Sequence, residues 1–125
     1  MNLNQVTLPV HNMCQCTHFY RLLGFLQIVD TEHYARFECP NGATFSLSLR
    51  ETLQQHNVTI YFEHEQLDEW VEQLQKKGIT FTELPQDKRY LWREAKLKDP
   101  SGNNIILYWA GENRLNPPWR VERRQ

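Results

Sequence analysis

A chain of 125 residues is long enough to bury one real core and too short for two independent domains. Lys and Arg number 14 against 15 Asp and Glu, and the net charge of −1 exerts no long-range pull on nucleic acid or an anionic membrane. Hydrophobic residues at 40%, with 4 Trp, 5 Tyr and 6 Phe, exclude disorder, because burying them offsets the ordering entropy of the chain.

Val6-Thr7-Leu8-Pro9-Val10 alternates with period two and reads as the first strand. His11 ends it, and Asn12 stands where a helix N-cap belongs. Met13, Phe19, Tyr20, Leu22 and Leu23 then recur at helical spacing until Gly24, which closes the helix; Phe25 is expected to open the next strand. A strand over 34–39 folds back through Cys39-Pro40-Asn41-Gly42 onto Ala43-Thr44-Phe45-Ser46-Leu47-Ser48-Leu49, with Pro setting the first corner and Gly taking the positive φ. The mixed polar stretch 49–57 reads as a link.

The chain then begins again. Val58-Thr59-Ile60-Tyr61-Phe62 echoes the first strand, and Leu67, Trp70, Val71 and Leu74 echo the helix. Gly78 echoes Gly24, with Ile79 expected to start a strand as Phe25 does. A strand over 92–98 turns through Asp99-Pro100-Ser101-Gly102 onto Asn103-Asn104-Ile105-Ile106-Leu107-Tyr108-Trp109. Each half is therefore strand, helix, three strands. The predicted organisation is a single domain over 1–112, made of modules at about 3–50 and 57–110, and a tail over 113–125.

His18-Phe19-Tyr20-Arg21-Leu22-Leu23-Gly24-Phe25 and Leu97-Lys98-Asp99-Pro100-Ser101-Gly102-Asn103-Asn104-Ile105 resemble the "FY…LGF" and "DPDGN.IEL" motifs of the vicinal oxygen chelate superfamily. That superfamily includes glyoxalase I, the bleomycin and fosfomycin resistance proteins and the extradiol dioxygenases. The resemblance spans residues 3 to 110. It implies an α+β fold of two βαβββ modules whose curved mixed sheets enclose a cleft. It also implies metal ligands, His, Glu or Gln, on the first and last strand of each module. The matching positions here are Gln5, Ser46, Thr59 and Ile106. One amide, two hydroxyls and an isoleucine are a poor set for a divalent metal that needs several imidazole or carboxylate donors. A member without the usual metal ligands is expected.

Strand alternation sorts side chains into a helix-covered face and a cleft face. Val6, Leu8, Val10, Phe45, Leu47, Leu49, Val58, Ile60, Phe62, Ile105, Leu107 and Trp109 are expected to pack inward. Gln5, Thr7, Pro9, Tyr34, Arg36, Glu38, Ser46, Ser48, Thr59, Tyr61, Glu63, Glu94, Lys96, Asn104, Ile106 and Tyr108 are expected on the cleft face, with Ser46 and Ser48 exposed. The ligand-binding candidates are Gln5, Thr7, Arg36, Ser46, Ser48, Thr59, Tyr61, Glu63, Trp92, Lys96 and Tyr108. Loops near 30–33 and 85–90 are expected to close over the ligand.

Other residues carry two readings each. Glu63 is a candidate general base or, more simply, one end of a cross-sheet salt bridge to Lys96 or Arg36. Trp92, Tyr34 and Tyr108 either stack on a flat ligand or pack the sheet. In Cys14-x-Cys16-x-His18 the two cysteines point about 200° apart on a helix, so helix composition explains them better than a metal clip. Three cysteines with no plausible bridge imply reduced thiols, and His33, His56 and His64 read as solvated. In the tail, Pro117 and Pro118 impose extended geometry, and Trp119 is expected to anchor on the cleft rim or on a second subunit.

With no apolar run near the roughly 20 residues of a membrane span, and no basic-then-apolar start of a signal peptide, a soluble cytoplasmic protein is expected. The leading functional expectation is a metal-free protein that binds and sequesters a small polar or aromatic compound. It needs no cofactor, pairs as a homodimer, and has no nucleic-acid or membrane partner. The alternative is a glyoxalase-like lyase or isomerase using a divalent metal or Glu63 as base. A third reading leaves the cleft vestigial in an interaction protein.

Overall fold

The computed structural model describes residues 1–51 and 58–124, and over them the chain runs strand, helix, three strands twice. The first run is β1 (Gln5–Val10), α1 (Met13–Leu23), β2 (Leu26–Asp30), β3 (Tyr34–Glu38) and β4 (Thr44–Leu49). The second is β5 (Thr59–Glu63), α2 (Leu67–Lys76), β6 (Glu83–Asp87), β7 (Arg93–Lys98) and β8 (Asn104–Trp109), followed by a 3-10 turn at Gly111–Asn113. The strands form two four-stranded sheets, ordered β1-β4-β3-β2 and β5-β8-β7-β6. This is the expected α+β arrangement of two βαβββ modules. The chain divides into two units, Met1–Val58 with Lys98–Asn104, and Thr59–Leu97 with Ile105–Gln125.

In the first unit β1 runs parallel to β4 from Gln5↔Thr44 to Val10↔Leu49, while β3 lies antiparallel to both β4 and β2. Asn12 caps α1, its side-chain oxygen accepting from the Gln15 N–H at 2.9 Å. Gly24, at φ 108°, ends the helix in the left-handed conformation and donates to the Arg21 carbonyl at 3.0 Å. Cys16, Phe19, Tyr20 and Leu23 on α1 are buried, as are Phe37 and Phe45 on the sheet. The Phe37 and Phe45 rings stack 5.1 Å apart, and Tyr20 lies 5.1 Å from Phe45. Each such buried side chain contributes about 1.5–3 kcal/mol.

The Asp99-Pro100-Ser101-Gly102 turn belongs to this first unit. Asp99, buried, accepts from the Tyr20 hydroxyl at 2.7 Å, the Ser101 and Asn103 N–H groups at 2.9 Å each, and the Asn103 side-chain amide at 2.8 Å. Asn103 in turn donates to the Pro9 carbonyl at 2.9 Å. Burial, then the neighbouring Asp99 charge, push the Tyr20 phenol upward, so it stays a donor. Cys16 meets Ser101 at 3.1 Å, and burial raises its thiol to about 11, which keeps it an unreactive core thiol.

In the second unit Leu67, Val71 and Leu74 of α2 are buried with Leu97, Ile105 and Leu107. Arg93 ties the sheet to the helix start, forking onto Asp68 at 2.8 and 2.9 Å and reaching Asp87 at 3.1 Å. Pro85 sits where it costs no ladder bond, on an edge strand at a register shift between Glu83 and Gln86.

Several expectations change. Ile79 starts no strand: its N–H closes α2 on the Leu74 carbonyl at 3.0 Å, and β6 begins at Glu83. Residues 83–87 are strand, and a tight turn follows with Leu91 at φ 69°, so only 88–90 of the expected 85–90 loop lies outside the sheet. Val6 and Val58 are exposed because in β1 and β5 the deep burial starts further along, at Leu8 and Phe62. Trp109 is also exposed: as the last residue of β8 it lays its indole on Gly111, where an added Cβ would come within 3.2 Å. Ser46 is fully buried rather than exposed. His56 and most of the 49–57 link lie outside the described residues.

Candidate functional site

The sheet face of the first unit that carries Gln5, Tyr34, Arg36 and Ser46 is closed by its own side chains. Gln5 donates from Nε2 to Ser46 Oγ at 2.8 Å and to Thr7 Oγ1 at 3.4 Å, and its Oε1 accepts from the Thr44 hydroxyl. The Tyr34 hydroxyl shares a hydrogen bond with Ser46, and Arg36 Nε donates to it at 3.0 Å with the guanidinium 5.4 Å from the ring centroid. The bond to Ser46 and the Arg36 charge hold the Tyr34 phenol below its ordinary value. Gln5, Thr7 and Ser46 are thus brought together, and Arg36 joins them through the Tyr34 hydroxyl with one of its five N–H donors. Ser48 is half-buried on the same strand as Ser46.

The second unit treats its corresponding face differently. Alternation along β7 and the residue before it sets Trp92, Glu94 and Lys96 on one side, and along β5 it sets Tyr61 and Glu63. Trp92 stacks on Tyr108, centroids 4.7 Å apart at 18°, over a cluster with Ile106 and Ala110. Tyr61 meets Trp92 and Tyr108 edge-on at 6.0 and 5.6 Å, and Tyr90 meets Trp92 at 6.1 Å. These rings wall an open recess of about 370 Å³, lined by Tyr61, Tyr90, Trp92, Glu94, Asn113, Arg114, Pro117 and Trp119. Glu94 is only 1% exposed and accepts the Tyr90 hydroxyl. Burial, then that bond, push the Tyr90 phenol up to about 12.

The tail supplies the remaining wall. The Asn116 N–H donates to the Glu112 carbonyl at 2.7 Å, and Arg120 donates to the Leu115 carbonyl at 2.9 Å and to the Asn116 side chain at 2.7 Å. This folds residues 111–120 into successive turns that carry Pro117 and Trp119. Glu63 anchors their start: its Oε2 accepts from the Ala110 and Gly111 N–H groups at 3.0 and 3.3 Å, and Arg114 lies 3.7 Å from Oε1. The expected partners Lys96 and Arg36 are not the ones Glu63 uses, because the chain after β8 turns its own N–H groups onto that carboxylate. Lys96 pairs instead with Glu83 at 3.5 Å.

Of the sequence candidates, Tyr61 and Trp92 line the recess and Tyr108 backs it, while Thr59 is a half-buried first residue of β5. Reading missed Asn113 and Arg114 altogether, and it placed Tyr90 in a loop over the ligand without choosing it. It placed Glu94 on the right face without choosing it, although the alternation Trp92-x-Glu94 was the available signal. Nothing in the sequence pattern announces the turns that bring in Asn113 and Arg114.

The metal set implied by resemblance does not fit these residues. The Gln5 amide is engaged at both ends, with Ser46 and Thr44, Ile106 has no donor, and Thr59 and Ser46 bring only hydroxyls. Among the described residues, no three His, Cys, Asp or Glu side chains gather as a metal-holding group. No helix among them is long and apolar enough to cross a membrane.

Residues 2–107 match the family model described as the Glyoxalase/Bleomycin resistance protein/Dioxygenase superfamily. Solved structures share the fold at low identity. A glyoxalase/bleomycin resistance protein/dioxygenase from Nocardioides is 19% identical, with TM-score 0.76 over 98% of this chain and 90% of that one. A bleomycin-binding protein complexed with bleomycin is 18% identical, with TM-score 0.74 over 87% and 98%. A lactoylglutathione lyase from Agrobacterium tumefaciens is 15% identical, with TM-score 0.72 over 86% and 92%. No curated protein matches the sequence.

Proposed function

The chain belongs to the glyoxalase/bleomycin resistance protein/dioxygenase superfamily, and from that premise we propose that it is a metal-free small-molecule-binding protein whose ligand sits in the aromatic recess of the second unit. The observation that carries this reading is the recess itself, lined by four aromatic side chains, Tyr61, Tyr90, Trp92 and Trp119, and by the buried carboxylate of Glu94. Ligand sites are typically concave and mostly apolar, with a few placed polar groups. The bleomycin-binding protein complexed with bleomycin shows that the same fold can hold a small molecule, which is in keeping with this reading. The unsuitable donor set at Gln5, Ser46, Thr59 and Ile106 supports working without a metal.

The same proposal takes the protein to be a cytoplasmic homodimer that sequesters its ligand. Exposed Leu26 and Ile28 on the edge strand β2 support pairing, and sedimentation equilibrium tests it. The functional test is intrinsic fluorescence titration of chelator-treated protein with small aromatic compounds, since Trp92 and Trp119 both line the recess. Saturable quenching without metal, lost in Trp92→Ala, is the expected result. Binding or turnover that appears only when a stoichiometric divalent ion is restored would overturn it in favour of the lyase or isomerase reading.

A further inference from the structure

We infer that the recess of the second unit selects organic cations, small amines or ammonium compounds carrying one positive charge next to a ring or short alkyl group. The inference rests on the recess being the ligand site and adds the charge of what enters it. Glu94 lines the recess, is 1% exposed, and receives one side-chain hydrogen bond, from Tyr90. An ionised carboxylate has about four acceptor positions, so most of its bonding capacity is unmet.

Among the described residues, no cationic side chain is paired with Glu94, and the nearby ones are engaged elsewhere. Arg114, the other charged group of the lining, lies against Glu63 at 3.7 Å. Lys88 and Lys96 both pair with Glu83, and Arg93 is taken by Asp68 and Asp87. The recess therefore presents, among the described residues, a carboxylate with no paired cation.

Its walls act in the same direction. The faces of tryptophan and tyrosine rings carry negative electrostatic potential and attract cations, and Tyr61, Tyr90, Trp92 and Trp119 line the same recess as the carboxylate. A guest ammonium would donate to the free lone pairs of Glu94 while its carbon atoms met the rings. An anion would face Glu94 unscreened, and a neutral guest would leave the carboxylate without a counter-charge. A volume of about 370 Å³ suits a single small ring bearing an amine.

Three probes of one size and different charge decide the point: benzylamine, benzyl alcohol and benzoate, each titrated calorimetrically into the full chain at neutral pH. Benzylamine is expected to bind at least about tenfold more tightly than benzyl alcohol, with benzoate weakest. Glu94→Gln, which keeps the acceptor for Tyr90, should bring the ratio of benzylamine to benzyl alcohol close to one. If benzyl alcohol or benzoate binds the unmodified protein as tightly as benzylamine, the inference is wrong while the recess stands as a ligand site. If none of the three binds, the recess reading fails with it. A folded Glu94→Gln protein that keeps the preference would remove Glu94 from the explanation.

Discussion

The two units share one backbone plan and use it in opposite ways. Each places a helix on one sheet face, and the faces that carry Ser46 and Trp92 then diverge. In the first unit Gln5, Ser46 and Tyr34 are bonded to one another, and Arg36 gives one of its five N–H donors to Tyr34. In the second unit Trp92, Tyr108 and Tyr61 pack as rings, and Glu94 keeps a single partner. A repeated fold sets where side chains stand; whether they bind anything depends on whether they have already bound each other.

That contrast can be broken at four points. The largest effect is expected from Asp99→Ala, which leaves the buried Tyr20 hydroxyl without its acceptor and should cost about 3 kcal/mol in urea unfolding. An unchanged midpoint would mean that the turn of the first unit is held by its backbone alone. Trp92→Ala removes the stack on Tyr108 and a wall of the recess; a loss of about 2 kcal/mol together with loss of ligand quenching is expected. Stability lost with binding retained would move the ligand elsewhere.

Ser46→Ala should cost about 1 kcal/mol by thermal melting, since Tyr34 and Gln5 lose a shared partner, and Gln5→Ala, at an exposed position, less. The smallest effect is a separation of tyrosine titrations, read by ultraviolet absorbance. Tyr34 should ionise below the ordinary 10.0, and Tyr90 near 12. Because the folded value of Tyr90 lies above the unfolded one, its contribution to stability is complete below pH 10 and disappears as pH rises towards 12. Tyr34 has the opposite sign, its ionised form favouring the folded state above pH 10. Tyr34→Phe should remove the early step and Tyr90→Phe the late one.

The module plan was legible because it rests on local signals: Asn12 and Gly24 at helix ends, Gly42 and Gly102 in turns, and period-two strands. The candidate site was legible only by face. Alternation put Tyr61, Trp92 and Tyr108 on one side, yet it says nothing about who pairs with whom. It therefore treated Ser46 as open when Gln5 and Tyr34 cover it, and gave Glu63 to Lys96 or Arg36 when the chain's own N–H groups take it. Trp109 shows the same limit: strand period pointed it inward, but the 3-10 turn beyond β8 offers Gly111 as a flat seat.

The Asp99 turn also has a consequence for how the protein is made. The acceptor for Tyr20 lies 79 residues further along the chain, so the packing of α1 cannot be completed by the first half of the sequence during synthesis. Until residues 98–104 have left the ribosome, the first βαβββ module lacks the acceptor for its Tyr20 hydroxyl. A fragment ending near residue 58 should accordingly be soluble only poorly and gain structure when a peptide spanning 97–105 is added in trans.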